Sequence, residues 1–299
     1  MGSGVEVAIK KINSKRASVL SQRDTIASLL SIPQHRNINK YYSILKEKTH
    51  FYVIQTVGEY SLEQIYKHKL LTLATTHQDC CMQISHGLDF LHKHGILHMA
   101  VKPQNVFVGA DNQIRLGDYG IHMREHQSEG KPLVPSVTNV STCWLASEVI
   151  QNHCDVTTAS DIASLGMVMF YVLSGGCHPF GDPNTVPSVC ISNIVRGAFN
   201  LKMLHDPYPH HLIKSIIQKD ADHRLKMDEL LAHPYFWSDQ RKEEYLEKLV
   251  RSALGGWVGP DGEIMDMLAK HEREIMNMYN KQEINEVNNI QELLTMIQG

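Results

Sequence analysis

Four side chains in this sequence could together handle phosphate: the amines of Lys10 and Lys102, the carboxamide of Asn105 and the carboxylate of Asp118. Ammonium groups neutralise phosphate oxygens, and amide and carboxylate oxygens suit a hard cation such as magnesium. The four lie in three short motifs: Val7-Ala8-Ile9-Lys10, then His98-Met99-Ala100-Val101-Lys102-Pro103-Gln104-Asn105, then Asp118-Tyr119-Gly120. Asn105 lies thirteen residues before Asp118, and Lys10 lies ninety before Ala100. Ala100 sits at the centre of the second motif, where its methyl group has nothing with which to accept a proton.

Positioning these groups requires particular elements. The β-branched run Val5 to Ile12 predicts a strand carrying Lys10, and Phe51-Tyr52-Val53-Ile54 predicts a second, buried one. Ser61 to Lys67 and Thr75 to His94 read as helices, the latter with Ile84, Leu88 and Leu91 as its core stripe, feeding the loop at His98. After that loop, Val106-Phe107-Val108 and Ile114-Arg115-Leu116 predict two short strands joined by the turn Gly109-Ala110-Asp111-Asn112. Ser21 to Leu30 predicts a short helix with Ile26, Leu29 and Leu30 on its apolar face. His92, His94 and His98 crowd together, but their spacing is not that of a zinc site, and His98 reads as a packing residue.

In order, spacing and context, the three motifs resemble those of protein kinases. The resemblance implies that Lys10 contacts the α/β-phosphates, Lys102 the γ-phosphate, and Asn105 and Asp118 magnesium. It implies ATP or ADP with Mg2+ as the ligand, and a hinge at Ile54, Gln55, Thr56 and Val57 whose backbone meets adenine. Pro33 to Ile38 is similar to the His-Pro-Asn-Ile loop of that family. Against the pattern His-Arg-Asp-Leu-x-x-x-Asn, Ala100 replaces the Asp that receives the substrate proton, a loss of about 10²–10⁴ in rate. Met99 replaces the arginine that grips an activation-loop phosphate. The nine residues before Lys10 leave no room for a glycine-rich hairpin, and Asp24 and Thr25 stand where the partner Glu of the strand lysine is expected. Asp118 to Glu148 corresponds to an activation segment, with Ser136, Thr138, Ser141 and Thr142 as its hydroxyls. The resemblance further assigns Asp161 to bracing the catalytic loop and Arg224 to pairing with Glu148.

Two stretches, Tyr171 to Gly181 and His233-Pro234-Tyr235-Phe236-Trp237, look like the inositol-requiring kinase/endoribonuclease of the unfolded-protein response and ribonuclease L. The fold class this implies is α+β: a bilobal protein-kinase-like fold with an incomplete first-lobe sheet and a helical second lobe, followed by a partial all-α ribonuclease-type domain. The boundaries are 1–58 for the first lobe, 59–236 for the second and 237–299 for the ribonuclease-like part, with helices at Tyr245 to Ser252, Ile264 to Tyr279 and Ile290 to Ile297. The family's RNA-cleaving Arg-Asn pair and His have no counterpart before Gly299, and its tyrosine is replaced near Asn285-Glu286, so the expectation is a pseudokinase without ribonuclease activity. The partners implied are a nucleotide and a second family member, as homodimer or heterodimer, with RNA by family only; the implied location is the cytoplasm or the cytosolic face of the endoplasmic reticulum. The competing readings are a weakly active Ser/Thr kinase and a fragment of a longer kinase/endoribonuclease.

Composition narrows the classes. A net charge of -3 offers no electrostatic attraction to nucleic acid or anionic membranes, and no apolar run reaches transmembrane length. Met1-Gly2 is not a myristoylation signal, because Glu6 stands where Ser or Thr is needed. The six cysteines, Cys80, Cys81, Cys143, Cys154, Cys177 and Cys190, include no Cys-x-x-Cys, which points to thiols in a reducing compartment rather than to disulfides or zinc.

Overall fold

In the computed structural model, residues 6–14, 23–69, 75–121, 140–151, 156–182, 185–242 and 244–245 are described. They form two compact units, one of residues 1–203 with 213–231 and the other of 204–212 with 232–299. The first holds every candidate site residue.

Its opening sheet is antiparallel, in the order β1-β3-β2, from strands β1 (Val7–Asn13), β2 (Tyr41–Glu47) and β3 (His50–Thr56). Period-2 alternation decides which residues face inward: Phe51, Val53 and Gln55 on β3 are buried, opposite Ile12, Lys10 and Ala8 on β1. Helix α1 (Arg23–Ser31) carries Leu29 into the core at 3% exposure. Leu30, expected on the same apolar face, is instead exposed, since consecutive residues on a helix point about 100° apart.

A second three-stranded sheet, ordered β4-β5-β6, joins β4 (Tyr60–Ser61), β5 (Val106–Val108) and β6 (Ile114–Leu116). The two strands expected around the turn at 109–112 are thus present, and Asn112 takes the turn's positive φ of 57°. Between β4 and β5 lie α2 (Leu62–His68) and α3 (His77–Lys93). Ser61 and Thr76 are their N-caps rather than helical residues, each accepting from a backbone N–H of the first turn. Helix α3 buries Ile84, Leu88 and Leu91 as its pattern requires. It approaches the chain so closely at Gly87 that a Cβ there would lie 2.4 Å from the Asn37 carbonyl oxygen, an oxygen already accepting from the Leu116 N–H.

Helices α4 (Ser147–Gln151), α5 (Thr158–Leu173), α6 (Pro187–Arg196), α7 (Pro207–Ile216) and α8 (Met227–Ala232) follow. Every residue of α5 from Ser160 to Val172 is buried, so this helix is enclosed on all sides, with the polar Ser160, Asp161 and Ser164 near its start and an apolar run after them. In the second unit, His233 caps Tyr235 and stacks on His211, while Trp237 donates from Nε1 to the Ala232 carbonyl and lies under the Arg241 guanidinium. The helices expected at Tyr245 to Ser252, Ile264 to Tyr279 and Ile290 to Ile297 lie outside the described residues, apart from Tyr245 itself. Among the described residues no helix is long and apolar enough to cross a membrane.

Candidate functional site

The loop after α3 owes its shape to one buried carboxylate. Asp161, on α5, accepts the His98 N–H at 2.7 Å and the Met99 N–H at 2.8 Å, and its Oδ2 also meets His92 Nε2 at 3.0 Å. Met99 is held at φ +62°, a conformation that costs a side-chain-bearing residue about 1–3 kcal/mol and persists only when its surroundings impose it. The two charge-assisted bonds to Asp161 supply that constraint. His98 is fully buried, and burial lowers its pKa below 6.5, leaving a neutral ring packed edge-on to Tyr119. The other two histidines go elsewhere: His92 to Asp161, and His94 back onto the carbonyl of Phe90 in its own helix.

From this frame the loop presents Ala100, Lys102 and Asn105. Asn105 donates from Nδ2 to the Ala100 carbonyl at 2.9 Å, which leaves its Oδ1 as the atom able to ligate a cation. Its own carbonyl accepts the Gly117 N–H at 2.9 Å, tying the loop to the residue before Asp118. Lys102 donates to Ser141 Oγ at 3.1 Å. Burial lowers the pKa of Lys102, opposed by the charge of Asp118 and reinforced by that of Lys10, so all three groups feel one another.

Asp118 is 1% exposed and sits at φ +62°. Its Oδ2 accepts a hydrogen bond from Lys10 Nζ, while its Oδ1 is buried with no partner among the described residues. Tyr119 stacks on Tyr41 with ring centres 4.3 Å apart, and each hydroxyl bonds the backbone beside the other strand: Tyr119 to the Asn39 carbonyl, Tyr41 to that of Tyr119. Gly120, at φ +64°, closes the turn beneath α1, where an added Cβ would stand 2.7 Å from Leu29 Cδ2.

The structure therefore brings Lys10, Lys102, Asn105 and Asp118 together around Ala100. It separates the expected hinge residues. Gln55 is 5% exposed and shares the inward face with Lys10, its Oε1 buried and unpartnered. Ile54 falls on the opposite face, paired with the 64%-exposed Ile9, so only its backbone is placed to meet a ligand on the Lys10 side. Val57 follows the strand and is half-buried. Neither Asp24 nor Thr25 takes the strand lysine, whose hydrogen-bond partner is Asp118. Ser136 and Thr138 lie outside the described residues.

Sequence reasoning missed the pairing of Gln104 Nε2 with Glu63 Oε1 at 2.8 Å, which sets a carboxylate beside Lys102. The position of Gln104 between Lys102 and Asn105 was the available signal. The braces expected beyond the loop are in place. Glu148 and Arg224 form a bidentate pair with both contacts at 2.7 Å.

A sheet bearing an inward lysine, a loop braced from a buried helix and an Asp-aromatic-Gly turn against that loop are the arrangement of a protein kinase domain. The protein kinase domain profile matches residues 2–236, and the chain belongs to that family. It is 25% identical over 276 residues to "Probable serine/threonine-protein kinase ireA" of Dictyostelium discoideum, covering 81% of this chain and 27% of that protein. With "Serine/threonine-protein kinase/endoribonuclease ire-1" of Caenorhabditis elegans it shares 28% over 265 residues, 81% of this chain and 26% of the other. Identity reaches 32% over 165 residues with "Serine/threonine-protein kinase/endoribonuclease IRE1b" of Arabidopsis thaliana, covering 54% of this chain and 18% of that protein. The chain thus spans about a quarter or less of the length of these relatives.

Proposed function

We propose that this kinase domain is a pseudokinase that binds ATP or ADP with magnesium and transfers phosphate poorly. The observation that carries the reading is the convergence of Lys10, Lys102, Asn105 and Asp118 on a loop whose central residue is the methyl-bearing Ala100. The donor set fits the ligand. A carboxylate and a carboxamide oxygen are hard donors, Asp118 Oδ1 is buried without a partner, and two ammonium groups flank them. Bound magnesium would neutralise phosphate charge there. Lys10 and Lys102 would orient the phosphates, and Gln55 would border the base from the inward face of β3. No carboxylate stands at position 100 to take a hydroxyl proton, so the step served by a general base loses about 10²–10⁴ in rate.

Within this reading, residues 1–58 and 59–236 are the two kinase lobes, and 237–299 opens a ribonuclease-like helical region. Nucleotide binding and association with a second family member, rather than phosphorylation or RNA cleavage, carry the signal, as suits a relative of the kinase/endoribonucleases of the unfolded-protein response.

Thermal unfolding with and without Mg·ATP tests the binding. A ligand at 100 times its Kd adds about 2.7 kcal/mol of stability. The expected shift requires magnesium and is lost in Asp118→Ala; the absence of any shift at millimolar nucleotide would sink the reading. Transfer of labelled γ-phosphate should be near background and should rise in Ala100→Asp. A wild-type rate equal to that of Ala100→Asp would instead identify an active kinase with a different base.

A further inference from the structure

Outside the phosphate cleft, two cysteines distant in sequence meet beside a histidine. Cys143 lies in the 3-10 turn Val140–Trp144 that ends the activation segment, and Cys190 lies on α6. The two thiols interact, and the Cys143 S–H donates to the Pro187 carbonyl at 3.8 Å. His178 Nδ1 is 3.5 Å from Cys190 Sγ. The tautomer of that ring is set by its neighbours: Nδ1 accepts the Phe180 N–H at 3.1 Å, so Nε2 carries the hydrogen and donates to the Cys143 carbonyl at 3.0 Å. Trp144 packs edge-on against the ring at 4.6 Å and holds it there.

The arrangement polarises the pair. Cys190 neighbours both Cys143 and His178 Nδ1. Its hydrogen bond to Cys143 holds the Cys143 thiol below its ordinary pKa against the opposing effect of burial, and the same bond together with burial pushes Cys190 upward. Burial lowers His178 to about 4, opposed by its bond to the Cys143 carbonyl, so near neutral pH its Nδ1 is unprotonated, with its lone pair shared with the Phe180 N–H. Reactive cysteines are those with thiolate character and access, and Cys143 has both in small measure, at 6% exposure against 5% for Cys190. That opening suits a small oxidant and excludes a bulky one.

We propose that Cys143 and Cys190 are a peroxide-oxidisable pair that closes to a disulfide, pinning the end of the activation segment to α6. In the first step the Cys143 thiolate attacks one oxygen of a hydroperoxide. An S–O bond forms, the O–O bond breaks, and the departing oxygen takes a proton from solvent. In the second, Cys190 passes its proton to His178 Nδ1 and attacks the Cys143 sulfur. The S–S bond forms, the S–O bond breaks, and hydroxide leaves with the proton from His178 as water. Two thiols lose two electrons, and one molecule of hydrogen peroxide becomes two of water.

The experiment treats the reduced full chain with hydrogen peroxide, alkylates the remaining thiols and maps peptides without reductant. The expected product is one peptide pair joined through Cys143 and Cys190, lighter by two hydrogen atoms and reopened by dithiothreitol. Cys190→Ser should stop at a sulfenic acid on Cys143 that dimedone captures; Cys190→Ala serves if the serine variant does not fold. In urea the preference for this pair should vanish, since proximity rather than sequence creates it. Glutathione disulfide should label Cys143 slowly or not at all. Recovery of both cysteines as alkylated thiols after peroxide, or of Cys143 joined chiefly to another cysteine, would overturn the proposal.

Discussion

Glu148–Arg224 and Lys10–Asp118 are ion pairs whose partners lie far apart in sequence, and they are built differently. Glu148 and Arg224 meet through two parallel hydrogen bonds, with side chains 11% and 1% exposed. The guanidinium also donates to the carbonyls of Gln218, Ala159 and Lys219, and Ser160 donates to the carboxylate. Lys10 and Asp118 meet through a single bond, with Lys10 39% exposed and Asp118 Oδ1 left without a partner. A saturated buried network has no capacity for a ligand and serves the architecture. An unsaturated pair keeps bonding capacity for one, and under the proposed function magnesium and phosphate would take up Asp118 and Lys10 in place of each other. The contacts that brace the kinase architecture are therefore saturated, while the cluster of Lys10, Lys102, Asn105 and Asp118 keeps an unsaturated carboxylate near Ala100.

The largest expected break comes from Arg224→Ala. Removing one partner of a buried pair strands the other charge and costs about 3–5 kcal/mol, which urea unfolding would read; a loss below about 1 kcal/mol would show the pair to be dispensable. Next is Asp161→Ala. The N–H groups of His98 and Met99 lose their acceptor, at about 1–3 kcal/mol each, and Met99 should relax from its positive φ. Unchanged stability together with unchanged nucleotide binding would contradict the bracing role. Lys10→Met sharpens the comparison from the other side: it leaves the buried Asp118 carboxylate without its lysine but removes one contact rather than a network, so stability should fall by less than in Arg224→Ala while the Mg·ATP shift falls. Equal losses from Lys10→Met and Arg224→Ala would erase the distinction.

Acid offers the gentlest test. Burial works to raise the pKa of Glu148, but the hydrogen bonds and charge of Arg224 outweigh it and hold the carboxyl below 4.5. With the folded pKa below the unfolded one, this contribution is complete above the unfolded value and is lost as pH falls through the folded value. The urea midpoint should therefore drop on acidification below about pH 4.5, and drop less in Arg224→Met. Parallel pH profiles for the two proteins would assign the acid loss to other carboxylates.

Much of the scaffold was legible because its signals are local. The alternation in β3 and the core stripe of α3 each follow from the spacing of neighbouring side chains. The resemblance to protein kinases likewise implied Asp161 beneath the loop at His98 and Arg224 against Glu148, and both contacts are present. Other features had no local signature. That Gln55 rather than Ile54 faces Lys10 depends on strand register. Cys143, His178 and Cys190 gather only because the activation segment ends against α6.

The sequence by itself determined which groups could meet a nucleotide and which proton acceptor is missing, because residue identity alone decides whether a side chain can carry charge or take a proton. Only the tertiary structure decided that Lys10 pairs directly with Asp118, across 108 residues of chain, and leaves one carboxylate oxygen bare. Such a contact is set by how a sheet and a loop are brought together, and local spacing carries no record of it.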